Sequence, residues 1–198
     1  MRKRAEQVEE TRQRIVDATV RLHTTVGPAN TTISGVAEQA DVTRLTVYRH
    51  FPDLESLFAA CGRRWTELHP PPDPAAWRKI AGLEARSRHA LGELYGWYQA
   101  CGEELLPIVR DHEAMPESTR QELFETFQAF AEALVAGSGV RGHARRRLNA
   151  TAGLVVSFWT WHSLTTEQGL GTPAAAELAT TLLTCAANGP QGAAGSRC

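Results

Sequence analysis

Side chains that donate hydrogen bonds are concentrated in one stretch of eight residues, from Thr43 to His50. In a helix, Val47 would face inward and the polar side chains would share the outer face. Hydroxyls, guanidinium groups and rings with a polar tip donate to phosphate oxygens and to base edges in the major groove of DNA. The candidate DNA contacts are therefore Thr43, Arg44, Thr46, Tyr48, Arg49 and His50.

Side chains suited to catalysis or metal binding are scattered along the chain. The best candidates for catalytic residues are His112, Glu113, His162 and Cys101, but the sequence pairs no nucleophile with a recognisable base. The sequence contains no HExxH, GxSxG or phosphate-binding loop. Its four cysteines form no CxxC pair and match no zinc spacing. We predict a protein that is not an enzyme, needs no cofactor and binds no metal.

The stretch of donors must be positioned by a neighbouring helix. Thr31 and Thr32 can cap a short helix that begins at Ile33. Ala37 is small enough for two helices to cross closely, and Asp41 tolerates the left-handed backbone of a tight turn. The shared core would contain Val36, Val42, Val47 and Phe51. This pattern predicts a helix-turn-helix, although an ordinary helical hairpin with a solvated polar face has similar spacing.

The rest of the chain is also helical in pattern, with no strand and no internal repeat. Three consecutive prolines interrupt it within residues 69–74. Further helices are predicted over 75–101, 103–112, 117–136, 141–167 and 173–187. We predict an all-α protein with a three-helix helix-turn-helix domain over residues 1–53, a larger helical domain over 54–190 and a disordered tail over 191–198.

Charge and hydropathy restrict where the chain acts. The net charge of the 198 residues is −1, so DNA contact requires local placement of cations. Residues 1–50 carry eight Lys and Arg against six Asp and Glu, a net of about +2. Arg2, Lys3 and Arg4 form either a basic arm that reaches DNA or a solvated end. No apolar run of membrane length and no secretory signal is present, which predicts a cytoplasmic protein.

Residues 8–58 resemble the DNA-binding domain of TetR/AcrR-family regulators. Thr31-Thr32-Ile33, followed by Val36-Ala37, matches the family's entry to its second helix. The run from Val42 to Pro52 matches the recognition helix and its exit, and Leu57-Phe58 continues the match. The remainder of the chain is similar to the family only in length and helical character.

The resemblance implies a role for each matching residue. Tyr48, His50 and Thr32 align with phosphate contacts, and Arg44, at a position that often faces bases, is the first choice for bidentate recognition of guanine. Base-facing positions are occupied by Thr43, Arg44, Leu45 and Arg49. Leu54 departs from the family, which often has a phosphate-binding lysine there, so that contact is in question.

The resemblance also implies a homodimer whose larger domain binds a small-molecule inducer. Aromatic walls are typical of ligand sites, but aromatics at helical spacing more often belong to a plain core. The candidate ligand residues are Trp65, Tyr95, Tyr98, Phe127, Phe158, Trp159 and His162. The candidate dimer contacts are Ala152, Val155, Trp159, Leu178, Leu182 and Cys185.

These observations predict a ligand-responsive transcriptional regulator. It would act as a repressor that binds a palindromic operator as a homodimer through residues 43–50, and an inducer would release it. The alternative is a helical protein-interaction module that has lost DNA binding, which the low local charge and Leu54 keep open.

Overall fold

Ten α-helices and three short helical turns make up residues 2–188, the part of the chain that the computed structural model describes. This range contains no β-strand, so the all-α prediction is confirmed. None of its helices combines the length and apolarity needed to cross a bilayer. The predicted tail over 191–198 lies outside the described residues. The helices are α1 Arg2–Thr25, α2 Ile33–Gln39, α3 Arg44–His50, α4 Leu54–Leu68, α5 Pro74–Arg78, α6 Leu83–Arg110, α7 Glu117–Val135, α8 Gly142–Val156, α9 Phe158–His162 and α10 Thr172–Asn188.

The helices form two compact units. Among the described residues, the first contains 2–71 together with Cys101–Leu123, and the second contains Pro72–Ala100 and 124–188. Helix α6 therefore contributes residues to both. The first unit extends beyond the predicted boundary at residue 53, because α4 packs against α1 and adds Leu57 to the same buried cluster.

The core of the first unit is an apolar cluster drawn from four helices. Val36, Val47 and Phe51 are buried in it, and Val42 packs against it, as the sequence pattern predicts. The other buried members are Ile15, Val16, Ala18 and Val20 of α1, Ala37 and Ala40 of α2 and its end, and Leu57, Ala60 and Cys61 of α4. Because fully burying one valine contributes about 1.5 kcal/mol, this cluster holds α2 and α3 in a fixed orientation.

The helix boundaries between residues 75 and 112 differ from those predicted. The predicted break near residue 102 is absent, since α6 continues through Gly102 and Pro107 to Arg110. The break lies instead between α5 and α6, where Gly82 has a φ of 82°. One glycine within a long helix costs only about 1 kcal/mol, which burial of the nearby Cys101 and Leu105 side chains offsets.

The single helix predicted over 141–167 is interrupted at Ser157. Its backbone is extended, with a ψ of 133°, and its hydroxyl accepts from the Trp159 amide at 3.3 Å to begin α9. The carbonyls freed at the interruption accept from two buried tyrosines: Tyr95 Oη donates to Val155 O at 2.9 Å and Tyr98 Oη to Val156 O at 2.6 Å. These long-range bonds stabilise a break that local sequence does not reveal.

A buried arginine ties together the ends of two elements in the second unit. Arg86 is 6% exposed, and its guanidinium donates to the carbonyls of Ile80, Leu134 and Ala136. Leu134 lies in the last turn of α7 and Ala136 directly follows the helix, at the end where the helix dipole is negative. The Arg86 side chain therefore satisfies carbonyls at the end of α7 and in the α5–α6 link, and it holds the two segments together.

Candidate nucleic-acid interface

A short turn between α2 and α3 sets the orientation of α3. Asp41 has a φ of 53°, the left-handed backbone that its position was expected to need. The Val42 amide donates to the Ala37 carbonyl at 2.9 Å, and the small Ala37 side chain is buried where the helices approach. The helix-turn-helix predicted from spacing is confirmed.

Both helices begin at a threonine whose hydroxyl caps the first turn. Thr32 Oγ1 accepts from the Gly35 amide at 3.0 Å, and Thr43 Oγ1 accepts from the Thr46 amide at 3.2 Å. The hydroxyl oxygens of Thr43 and Thr46 are also within hydrogen-bonding distance of each other, at 3.0 Å. Such a cap contributes about 1 kcal/mol. Thr32 is exposed, so its own hydroxyl proton is available to an acceptor outside the protein.

The outer face of α3 is exposed over its whole length. Val47 is 0% exposed, whereas Leu45 and Tyr48 are 78% and 52% exposed. Arg44 and Arg49 are exposed too, and among residues 2–188 no carboxylate lies within 4.0 Å of either guanidinium. The helix thus presents two uncompensated cations, a phenol and an apolar side chain to solvent.

His50, at the end of α3, lies in a positive environment. Its pKa is lowered mainly by partial burial, then by the positive charges of Arg49 and Arg12, while Glu9 opposes them. Arg12 comes from α1 and its guanidinium lies 5.1 Å from the centre of the Phe51 ring. The neutral imidazole is therefore favoured in the free protein, and an approaching anion would reverse that preference.

Helix α4 is capped by Asp53, and its first residue, Leu54, carries no charge. The Asp53 carboxylate accepts from the Ser56 amide at 2.7 Å, and the bonds from Ser56 lower its pKa. Leu54 follows and is 55% exposed, so its side chain takes no part in the core. The helix N-terminus favours an anion at this point, but the side chain there offers no cation.

The predicted ligand residues are brought together only in part. Tyr95, Tyr98 and Phe158 are buried in one aromatic cluster, with Tyr98 and Phe158 rings edge-on at 5.4 Å. Trp159 and His162 lie at its margin, each 5.8 Å from the other's ring centre, and Trp159 is 47% exposed. Because the tyrosine hydroxyls bond to the α8 backbone, these residues hold the α8–α9 break together.

The other two predicted ligand residues lie apart from this cluster. Trp65 belongs to the first unit, where its ring meets His69 edge-on at 3.9 Å. Phe127 lies in the second unit and lines a groove of about 670 Å³ between α7 and α8. The predicted set is therefore divided among three places.

The predicted dimer residues are divided between the core and the surface. Ala152 and Val155 are 0% exposed, because that side of α8 packs against α10 within the same unit. Trp159, Leu178, Leu182 and Cys185 are exposed. The sequence reading omitted Leu154, which is 57% exposed on α8, although its spacing from the buried Ala152 and Val155 places it on another face.

The structure also shows whether metal ligands cluster and which further cation lies near α3. Among the described residues no group of three or more metal-ligating side chains comes together. Arg12 was not predicted from sequence as part of the interface, since it lies far from α3 in the chain. Its position beside Phe51 and His50 follows from the packing of α1 on the α2–α3 pair.

Comparison with known proteins finds relatives of part of this chain. The family model described as bacterial regulatory proteins, tetR family, matches residues 15–61. The HTH-type transcriptional regulator AcrR of Shigella flexneri is 40% identical over 58 residues, 29% of this chain and 27% of that protein. The HTH-type transcriptional regulator SrpR of Pseudomonas putida is 46% identical over 64 residues, 32% of this chain and 30% of that protein. The match thus spans less than a third of either relative.

The fold as a whole also has a solved counterpart. A TetR-like transcriptional regulator from Rhodococcus sp. RHA1 superposes with a TM-score of 0.61 and covers 90% of this chain and 96% of its own. At 19% sequence identity this likeness concerns the fold alone.

Proposed function

We propose that the chain, whose residues 15–61 match the family model of bacterial regulatory proteins, tetR family, represses transcription by binding operator DNA as a homodimer. Helix α3 enters the major groove, and a small molecule bound in the second unit releases the complex. The observation that carries the proposal is the outer face of α3, which is exposed, cationic and rigidly backed by a buried core.

Some side chains of this face contact phosphates and position the protein on DNA, and others contact bases and recognise the sequence. Tyr48, His50 and Thr32 donate to phosphates and set the register of the protein on DNA. Arg44 makes a bidentate contact to guanine, worth about 1–3 kcal/mol of discrimination between bases. Thr43, Leu45, Thr46 and Arg49 complete the surface that faces the bases.

A homodimer supplies the second recognition helix. The exposed apolar side chains of α8, α9 and α10, namely Leu154, Trp159, Leu178 and Leu182, form the face that a second copy covers, with Cys185 at its edge. Two-fold symmetry places two α3 helices about 34–36 Å apart or somewhat further, on successive major grooves. The operator is therefore roughly palindromic.

Release follows from a coupling between the two binding events. An inducer that binds better to a dimer with mis-spaced recognition helices weakens DNA binding, and DNA weakens inducer binding by the same factor. The coupling free energy of such systems is typically about 1–3 kcal/mol.

Selection of bound sequences from random DNA, followed by fluorescence anisotropy, tests the proposal. Tyr48→Ala is expected to weaken binding to all sequences, because it removes a phosphate contact. Arg44→Ala is expected to weaken binding about tenfold or more and also to relax the preference at one base pair. Arg63→Ala removes an exposed arginine of α4 and serves as the matched control.

The result that would overturn the proposal is equally definite. If no sequence is enriched, or if both α3 variants bind as the parent does, α3 is not the DNA-binding element. The exposed apolar Leu54 would then favour the alternative, a helical module that binds other proteins.

A further inference from the structure

The groove of about 670 Å³ in the second unit has a charged end and an apolar end. Its walls are one face of α7 and one face of α8. At one end Arg145 of α8 lies beside Val135, to whose carbonyl its guanidinium donates at 3.2 Å. At the other end Phe124 of α7 lies eleven residues before Val135, about 16 Å along the helix. The groove is long enough for a molecule with two different ends.

Arg145 provides the uncompensated charge of the groove. Its Nη1 donates to Val135 O and to Ser138 Oγ, which are both neutral acceptors. Among residues 2–188 no carboxylate lies within 4.0 Å of this guanidinium. The other charges that line the groove, Arg78 and Glu132, pair with each other at 3.6 Å. The groove therefore keeps a net positive charge at the Arg145 end.

The remainder of the groove is apolar or neutral. Phe124 is 62% exposed, although a phenylalanine is ordinarily buried, and Phe127 beside it is only partly buried. Gly153 and Val156 of α8 line the same end. Asn149 lies one helical turn beyond Arg145 and is exposed. Most ligand sites combine apolar walls with a few fixed polar groups in this way.

We infer that this groove binds an amphipathic carboxylate, with its carboxylate paired to Arg145 and its apolar body along Phe124 and Phe127. The inference rests on the proposed function, because such a molecule would be the inducer. Nε and Nη2 of Arg145, which donate to no acceptor in the described part of the chain, suit the planar, two-oxygen geometry of a carboxylate. A neutral or cationic molecule of the same length would lose that pairing.

Calorimetric titration of the full-length protein with octanoate tests the site without any need for DNA. We expect saturable 1:1 binding per chain, and at least about tenfold weaker binding of octylamine, which has the same chain but a cationic head. Arg145→Gln should lower octanoate affinity about tenfold or more. Arg147→Gln, on the same helix but outside the groove, is the matched control and should bind as the parent does.

A second variant keeps the test decisive if Arg145→Gln fails to fold. Asn149→Asp adds a carboxylate to an exposed position of the groove, so it should weaken octanoate binding and strengthen that of octylamine. Equal affinities for octanoate and octylamine, or insensitivity of octanoate to both variants, would overturn the inference. Binding of octanoate at this groove without any change in DNA affinity would leave the site intact and refute only its inducing role.

Discussion

The charge state of His50 should make the proposed DNA binding depend on pH. Burial, Arg49 and Arg12 lower its pKa against the opposing effect of Glu9, so the free protein holds it neutral near pH 7. A bound phosphate favours the protonated form, so binding takes up a proton and DNA affinity rises as the pH falls from 8 to 6. The slope can reach about tenfold per pH unit if a full proton is taken up.

Anisotropy titrations at constant ionic strength across this range check the prediction. His50→Gln should flatten the pH dependence while it retains most of the affinity at pH 8, since a glutamine amide still donates to phosphate. His89→Gln, an exposed histidine of the second unit, should leave the slope unchanged. An equal slope in the parent and in His50→Gln would show that another group takes up the proton.

Leu54 offers a gain of function at a single residue. Its side chain is 55% exposed at the start of α4, so lysine can replace it without disturbing the core. Leu54→Lys should tighten DNA binding several-fold and steepen the slope of log K against log salt by about 0.9, because one more phosphate is neutralised. Leu68→Lys adds the same charge to an exposed leucine at the other end of α4 and should change neither quantity.

His23 makes the stability of the first unit depend on pH. The ring is buried and lies 4.6 Å from the Phe58 ring, and burial lowers its pKa from 6.5 to about 4. The unfolded chain therefore binds the proton more readily, and stability is lost as the pH falls from about 6.5 to about 4. The loss approaches about 3 kcal/mol. Denaturant unfolding of His23→Leu should show a pH dependence weaker by that amount, whereas the exposed His143→Leu should unfold with the parent's profile.

At the scale of elements, residues at the end of α6 form hydrogen bonds to the link between α1 and α2. The Asp111 carboxylate accepts from the Ala29 amide at 3.2 Å, and Arg110 Nη2 donates to the Val26 carbonyl at 3.2 Å. Gly27 has a φ of 91°, and a β-carbon on it would overlap the Asp111 carboxylate. The link that orients α2 thus depends on a residue without a side chain.

Replacing Gly27 tests whether its backbone angle and its close contact with Asp111 contribute to stability, apart from the general preference of helices for alanine over glycine. Gly27→Ala is expected to destabilise the protein by about 1–3 kcal/mol in thermal or denaturant unfolding, because both the backbone angle and the close approach are lost. Gly62→Ala, within α4 and with open space around it, should instead stabilise by up to about 1 kcal/mol. If both variants shifted stability equally, the Asp111 contact would have no part in the link.

The elements also show which features a sequence can reveal. The starts of α2, α3 and α4 follow from the caps Thr32, Thr43 and Asp53, whose partners lie within three residues. The interruption at Ser157 was missed because the tyrosines that satisfy it lie about 60 residues earlier. The groove between α7 and α8 arises from the separation of two helices, which no local pattern encodes. Helix caps and turns can thus be predicted from neighbouring residues, whereas features that depend on long-range packing cannot.

At the scale of the whole molecule, the proposed dimerisation and the proposed DNA binding form one linked equilibrium. Under the proposed function, a single α3 would reach one half-site, whereas two copies held by the α8–α10 face would bind both half-sites of a palindrome at high effective concentration. If DNA favours the dimer, dimer formation must favour DNA by the same free energy. A variant that weakens the apolar face should therefore lose DNA affinity without any change to α3.

Leu182→Asp tests this linkage, because it places a charge on an exposed leucine of α10. Sedimentation velocity should show a shift from dimer to monomer at micromolar protein, and anisotropy should show equal affinity for a full palindrome and for a half-site. Leu68→Asp makes the same exchange on the first unit and should leave both measurements as in the parent. Were Leu182→Asp still dimeric and still selective for the full palindrome, the second copy would have to be held by another surface, since one aspartate in an apolar interface costs several kcal/mol unless it is paired.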